Sequence, residues 1–399
     1  MDARQYQDIL ERHDAGTGIT FDKAEYDRRA ELVKFQMAAR GIETLILTDP
    51  NSVYYMTGYY TFGSGNYVSL IVPIDGSPFM HVADLEIPSA IVNSNVTEVY
   101  TSVWQQQFRS GPGDDLVKVL HSKVQDKKRI GLELGRKGLL ASVFQALASK
   151  LPNATFIDAS MIVEEVSYVK SDVEIECLKK SGSYTAAGVE ASYAITRPGI
   201  YDNDIAKAGY EAMIGAGSEF MSVQPIVTSG VRTSYPHQTF RRVLIEDNDV
   251  IFLEYGGNHN RYTAPLMRTM VTGKPSDGMM RFADAAEATL SAMLEMMKPG
   301  VEFRDVVTHA KKAHKSLDDE LYFFGSYAYG LGATFPPTWG NGLHISEGID
   351  LVLKPGMAFH VPMNFTAPSK FGIAFSESVV ITEKGYDLLV DHPRELHRI

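Results

Sequence analysis

The sequence predicts two domains of different class, an α/β domain over residues 1–165 followed by an α+β domain over residues 166–399. Three observations carry that expectation. At 399 residues the chain exceeds the roughly 250–300 residues at which a single core stops growing. Helical and strand-like patterns alternate from residue 24 to residue 165. Beyond a helix start at Ser171 the rhythm changes to helices grouped with strands.

In the first part, AEYDRRAELVKFQMAARG is an amphipathic helix, TLILTD, SLIVPI and RIGLEL are strands, and LLASVFQALASKL is helical again. The domain boundary falls just before the long helix of SYVKSDVEIECLKKSGSYTAAGVEASYAIT, where Ser171 can cap and acidic residues occupy the first turn. In the second part, the helix DNDIAKAGYEAMIGAG precedes strands in VQPIVTSG and DVIFLEYGG. Helices through DGMMRFADAAEATLSAMLEMM and VEFRDVVTHAKKAHKSL precede the strands MAFHVPMNF and ESVVITEKG. Two such groups suggest a pseudo-symmetric layer, although no sequence repeat accompanies it. Gly256–Asn258 reads as a hairpin turn.

Composition bounds the function. A net charge of −11 argues against a protein that gathers nucleic acid phosphates. No apolar run approaches the ~20 residues of a membrane helix, and the N-terminus lacks an apolar signal core, so no membrane partner and a cytoplasmic location are expected. The one cysteine, Cys177, excludes an internal disulfide framework and reads as a buried structural thiol.

Several motifs then carry a resemblance. YVKSDVEIE, VTSGVRTSYPH, LKPGMAFHVPM and VVITEKG resemble the pita-bread fold of methionine aminopeptidase, prolidase and creatinase, and NSVYYMTGY resembles the small N-terminal domain of the prolidase and creatinase branch. The resemblance implies a creatinase/prolidase-like N-terminal domain, a pita-bread catalytic domain and a homodimer in which one N-terminal domain reaches the neighbouring active site. Tyr54, Tyr55 and Tyr59 would then contribute to that site, the alternative being that they pack within their own domain.

Peptidases of this fold hold two metal ions with two Asp, one His and two Glu. The resemblance sets Glu254, Pro265, Tyr329, Pro362 and Ser376 at those positions. Proline offers no side-chain donor, so no metal cofactor is expected. His237 falls at the catalytic histidine of the metal-free creatinases, but their two active-site Glu positions are Met267 and Pro362 here. With Glu254, His237 and the TFPPTWGNG loop, the chain is most similar to ectoine hydrolases, the metal-free branch that opens a cyclic amidine in a small zwitterion. A downstream deacetylase would be a metabolic partner.

That chemistry asks for a base or nucleophile facing an electrophilic carbon, and a carboxylate to balance a cation. Glu254 can do both, and the imidazole of His237 can move protons near neutrality. Tyr329, Phe335 and Trp339 can offer aromatic faces to an amidinium, worth about 0.5–2 kcal/mol, and His360 is a further pocket candidate on its strand. The blander readings are a structural Glu254–Arg268 ion pair, a core histidine at 237 and aromatics that only bury area. His259 and His344 read as turn and loop residues. Rival functions are a metal-free hydrolase of a guanidino or cyclic amide compound, and a non-catalytic protein that binds a small zwitterion.

Overall fold

The computed structural model describes residues 3–12, 18–63, 65–124, 128–317 and 319–399. They divide into two compact units, Met1–Val166 and Ser167–Ile399.

The first unit is built on a six-stranded mixed sheet, in spatial order Val99–Ser102, Phe79–Ala83, Val68–Pro73, Thr44–Leu47, Arg129–Leu132 and Thr155–Asp158. The central TLIL strand pairs antiparallel on one side and parallel on the other. It is buried on both faces, which is why it is apolar without alternation. Leu45 and Leu47 join one apolar cluster and Ile46 joins the other, as the two-residue period requires. NSVYYMTGY forms the helix Pro50–Thr57. Asp49 caps its start, proline occupies its first turn, and Gly58 takes the left-handed conformation (φ 76°) that ends it.

The second unit opens on the helix Asp172–Ile195. Its capping box is complete: the backbone N–H of Ser171 donates to Glu174 at 3.0 Å while the Ser171 side chain accepts at the third helical position. The helix packs against Asp202–Gly215 through a close approach at Gly188, where a β-carbon would lie 3.1 Å from the Gly209 carbonyl oxygen. The helices Asp277–Met296 and Phe303–Ala310 pack on the side of the strands Ala358–Ala367 and Phe371–Ile381, where Phe282, Leu290, Phe303 and Val307 are buried. The expected helix through residue 317 is shorter than its pattern. Past Ala310 the basic KKAHK run turns only His314 inward, and a short 3₁₀ turn, Lys315–Leu317, follows.

Two sheets frame the interior of this unit. One runs His397–Arg398, Leu266–Val271, Val250–Tyr255, Ile226–Ser229, and the other His344–Ile345, Ala328–Gly330, Ala358–Ala367, Phe371–Ile381, Tyr386–Leu388. Hydroxyls join them where Leu266–Val271 meets Phe371–Ile381. Ser376 accepts from the Met267 N–H at 2.6 Å, Thr269 bonds both backbone groups of Ala374 at 2.9 Å, and Ser378 donates to the Pro265 carbonyl at 2.6 Å. The turn expected at Gly256–Asn258 lies further on: Asn258–His259 pairs with Tyr262–Thr263, and Asn260 and Arg261 carry positive φ (49° and 63°) between them.

Candidate active site

A cavity of about 450 Å³ opens in the second unit. Alternate residues of two strands line it: Phe252 and Glu254 from Val250–Tyr255, Pro362 and Asn364 from Ala358–Ala367. Glu254 lies in register between Ile226 and Met267 on the neighbouring strands, and both of these side chains also face the cavity. Glu254 is therefore flanked by two aliphatic side chains. Burial pushes its pKa up to about 8, and no described residue hydrogen-bonds or ion-pairs with it. At neutral pH it is mostly the protonated acid.

The ion pair with Arg268 suggested by the sequence does not form. Arg268 follows Met267 and so points to the opposite face, where its guanidinium donates to Glu377 at 3.0 Å and to the carbonyls of Ser376 (2.7 Å) and His392 (2.8 Å). Both members of that pair are buried, and desolvation raises the pKa of Glu377 despite the neighbouring cation.

Tyr329 and Trp339 form part of the aromatic wall, with the Trp339 indole N–H donating to the Tyr329 hydroxyl at 2.7 Å. Trp339 packs closely on Gly256, where a β-carbon would meet its ring at 3.0 Å. Burial, and then the charge of Glu254, raise the Tyr329 phenol well above its ordinary value. Behind it, the ring of His360 bridges two hydroxyls: Nδ1 to Tyr329 at 2.6 Å and Nε2 to Ser376 at 2.6 Å. His360 is fully buried, and burial assisted by the charge of Arg268 pushes its pKa down to about 3. It is a neutral imidazole.

Of the residues singled out in the sequence, Glu254, His237, Tyr329 and Trp339 meet at this cavity. His237 is exposed at the rim, held at φ 59° in a turn, and an irregular segment follows it. Three other placements are corrections. His360 lies behind Tyr329 and does not line the cavity. Phe335 packs over the guanidinium of Arg261 at 4.9 Å. Tyr54 and Tyr55 are 1% and 3% exposed in the first unit, where Tyr54 bonds Thr20 and Tyr55 stacks on Arg29 at 4.2 Å. They are packed inside, so the sequence signal there was that of a core helix.

Sequence reasoning missed Phe252, Asn364, Thr233 and His344, which also line the cavity. Phe252 and Asn364 were legible as the residues two before Glu254 and two after Pro362 on their strands. His344 pairs in register with Tyr329, a long-range contact with no local signal.

The chain belongs to metallopeptidase family M24, whose profile matches residues 176–383, and the Creatinase/Prolidase N-terminal domain matches residues 28–169. It is a hydrolase of the M24/creatinase superfamily, with an α/β N-terminal domain preceding the pita-bread domain in sequence. Among similar proteins, "Ectoine hydrolase" of Halomonas elongata is 26% identical over 95% of this chain and 98% of its own. An "Uncharacterized hydrolase/peptidase" of Sinorhizobium fredii is 28% identical over 95% and 98%. The X-Pro aminopeptidase structure from Thermotoga maritima superposes with a TM-score of 0.79 at 22% identity, covering 93% of this chain and 99% of that one.

The side chains at the family's metal positions do not fit a two-metal centre. Pro265 and Pro362 bring no side-chain donor, and the hydroxyls of Tyr329 and Ser376 are bonded to His360. Glu254 alone remains, and among the described residues no group of three or more His, Cys, Asp or Glu is arranged to hold a metal ion.

Proposed function

We propose that this chain hydrolyses the cyclic amidine of ectoine to an N-acetylated 2,4-diaminobutyrate without a metal. The observation that supports this reading above others is Glu254: a buried carboxyl with no partner among the described residues, at the floor of an aromatic-walled cavity, in a site whose metal donors are replaced. A delocalised amidinium is the partner such a group lacks. Its entry would offset the desolvation of the carboxylate, so binding would be coupled to release of the Glu254 proton. Trp339 and Tyr329 would face the cationic ring. No Lys or Arg lines the cavity among the described residues, so the ligand carboxylate would meet the rim imidazoles of His237 and His344.

Two routes use the same residues. In the first, a Glu254 oxygen bonds to the amidine carbon and the C=N π pair moves to nitrogen. Collapse of that tetrahedral centre breaks a ring C–N bond, the departing nitrogen taking a proton from His237, and the carbon stays bonded to Glu254 as an imidate ester. Water adds to that carbon and returns a proton to His237, and the Glu254 carboxylate leaves as the amide forms, its last proton going to the released amine. In the second, Glu254 takes the proton from water directly. The name of the Halomonas elongata relative supports the substrate. The Xaa-Pro dipeptidases among the relatives favour a dipeptide instead, and the donor set argues against it.

The deciding experiment incubates chelator-treated protein separately with ectoine, creatine and an Xaa-Pro dipeptide and follows products by NMR. Conversion of ectoine alone is expected. Cleavage of the dipeptide without conversion of ectoine would overturn the proposal, and saturable ectoine binding without conversion would make the chain a binding protein.

A further inference from the structure

The hydrogen bonds behind the cavity have a direction that the backbone sets. The Met267 N–H can only donate, and it donates to the Ser376 oxygen at 2.6 Å. Ser376 is fully buried, and its remaining contact is the Nε2 of His360 at 2.6 Å. A buried hydroxyl left without an acceptor is costly, so the Ser376 O–H donates to Nε2. His360 is then the tautomer with its hydrogen on Nδ1, and that hydrogen goes to the Tyr329 oxygen at 2.6 Å. The Trp339 indole can also only donate, and it reaches the same oxygen at 2.7 Å. With both acceptor sites of Tyr329 filled, its own O–H has one direction left, which is the cavity that Tyr329 lines.

We propose that Ser376 and His360 are positioning residues that make Tyr329 a dedicated hydrogen-bond donor to the bound ligand, aimed at the ring nitrogen whose bond breaks. The role of the donor rests on the amidine-hydrolase reading above; its direction does not. The nitrogen gains a lone pair as the tetrahedral centre collapses, and a fixed O–H stabilises that pair without reorganisation. The contribution is a hydrogen bond and not a relayed proton, since the far end of the chain is a serine that has no base to restore it. A raised phenol pKa agrees with this, because Tyr329 stays neutral. Tyr329 and Ser376 thus stand where the resemblance sets two metal ligands, and His360 between them converts those positions from holding a cation to presenting a donor.

Two measurements test this on the full-length protein. In ligand-free protein with ¹⁵N-labelled histidine rings, His360, assigned by its loss in His360→Asn, should be the neutral Nδ1–H tautomer from pH 5 to 9. The Nε2–H tautomer, or protonation near the ordinary imidazole value, would overturn the chain's direction. In kinetics with ectoine, Tyr329→Phe should lower kcat on the order of 10²-fold with KM changed only a few-fold. Ser376→Ala should lower kcat less and release the tautomer, while Ser376→Thr restores both. Unchanged tautomer and kcat in Ser376→Ala would refute the positioning role. If the wild-type protein does not convert ectoine, the functional reading falls, while the ring assignment still decides the direction of the chain.

Discussion

Replacing Glu254 by Gln should raise stability while it removes activity, and the size of the first effect follows from the site. The folded carboxyl titrates at about 8 against an ordinary 4.5, so it holds a proton over a range in which the unfolded chain has lost it. For a carboxyl raised in this way the folding penalty is absent below pH 4.5, grows as pH rises, and is complete above about 8. Each pH unit within the window costs about 1.4 kcal/mol. At pH 7 the wild type should therefore be about 3 kcal/mol less stable than it would be with a neutral isostere, and near pH 4.5 the difference should vanish. Because two units need not unfold together, the readout should come from the second alone. Trp104 lies in the first unit and Trp339 in the second, so in a Trp104→Phe background denaturant titrations followed by fluorescence report on the catalytic unit. Turnover of ectoine in Glu254→Gln should fall at least ~10²-fold. A stability difference that does not change between pH 4.5 and 8 would refute the account of the buried acid. Wild-type turnover would remove Glu254 from the chemistry.

Other consequences are as direct. kcat/KM for a cationic amidine should rise with pH and level off above about 8, as the free enzyme's Glu254 ionises; a fall over that range would assign Glu254 the role of an acid. Chelators should leave activity intact and elemental analysis should find no stoichiometric metal, whereas loss of activity restored by manganese or zinc would contradict the donor set. Arg268→Leu strands a buried Glu377 carboxylate, so denaturant unfolding at pH 7 should show a loss of about 3–5 kcal/mol; a loss under ~1 kcal/mol would mean the pair is dispensable. The resemblance further implies a homodimer, which light scattering at micromolar concentration checks, a monomer being the opposing result.

The parts of this molecule that the sequence made legible are those with a short physical period. TLIL read as a strand because three consecutive apolar residues suit burial on both sides of a sheet, and Ser171 read as a cap because Glu174 stands three residues on. Glu254 read as exceptional because it interrupts VIFL, a run whose other residues need no partner. The rest depended on register between distant strands. The candidate ion pair with Arg268 fails through parity: Met267 pairs with Glu254, so Arg268 belongs to the other face. Sequence order does not state which residue pairs with which.

The misplacement of His360 has a different cause and leads further. A histidine on a strand of the site looked like a cavity residue, and it does share a face with Pro362 and pair with Tyr329, but its ring is closed between the Tyr329 and Ser376 hydroxyls, which puts it behind the cavity wall. There its value lies in being held, since a buried neutral imidazole flanked by two hydroxyls passes on direction and not charge. Pro362, Tyr329 and Ser376 lack the charge that would have required a cation, and without the cation a buried carboxyl such as Glu254 must either stay protonated or await a cationic ligand. The cavity is in the first state when empty, and the titration of Glu254 upon amidinium binding, followed as proton release at pH 7, measures its passage to the second.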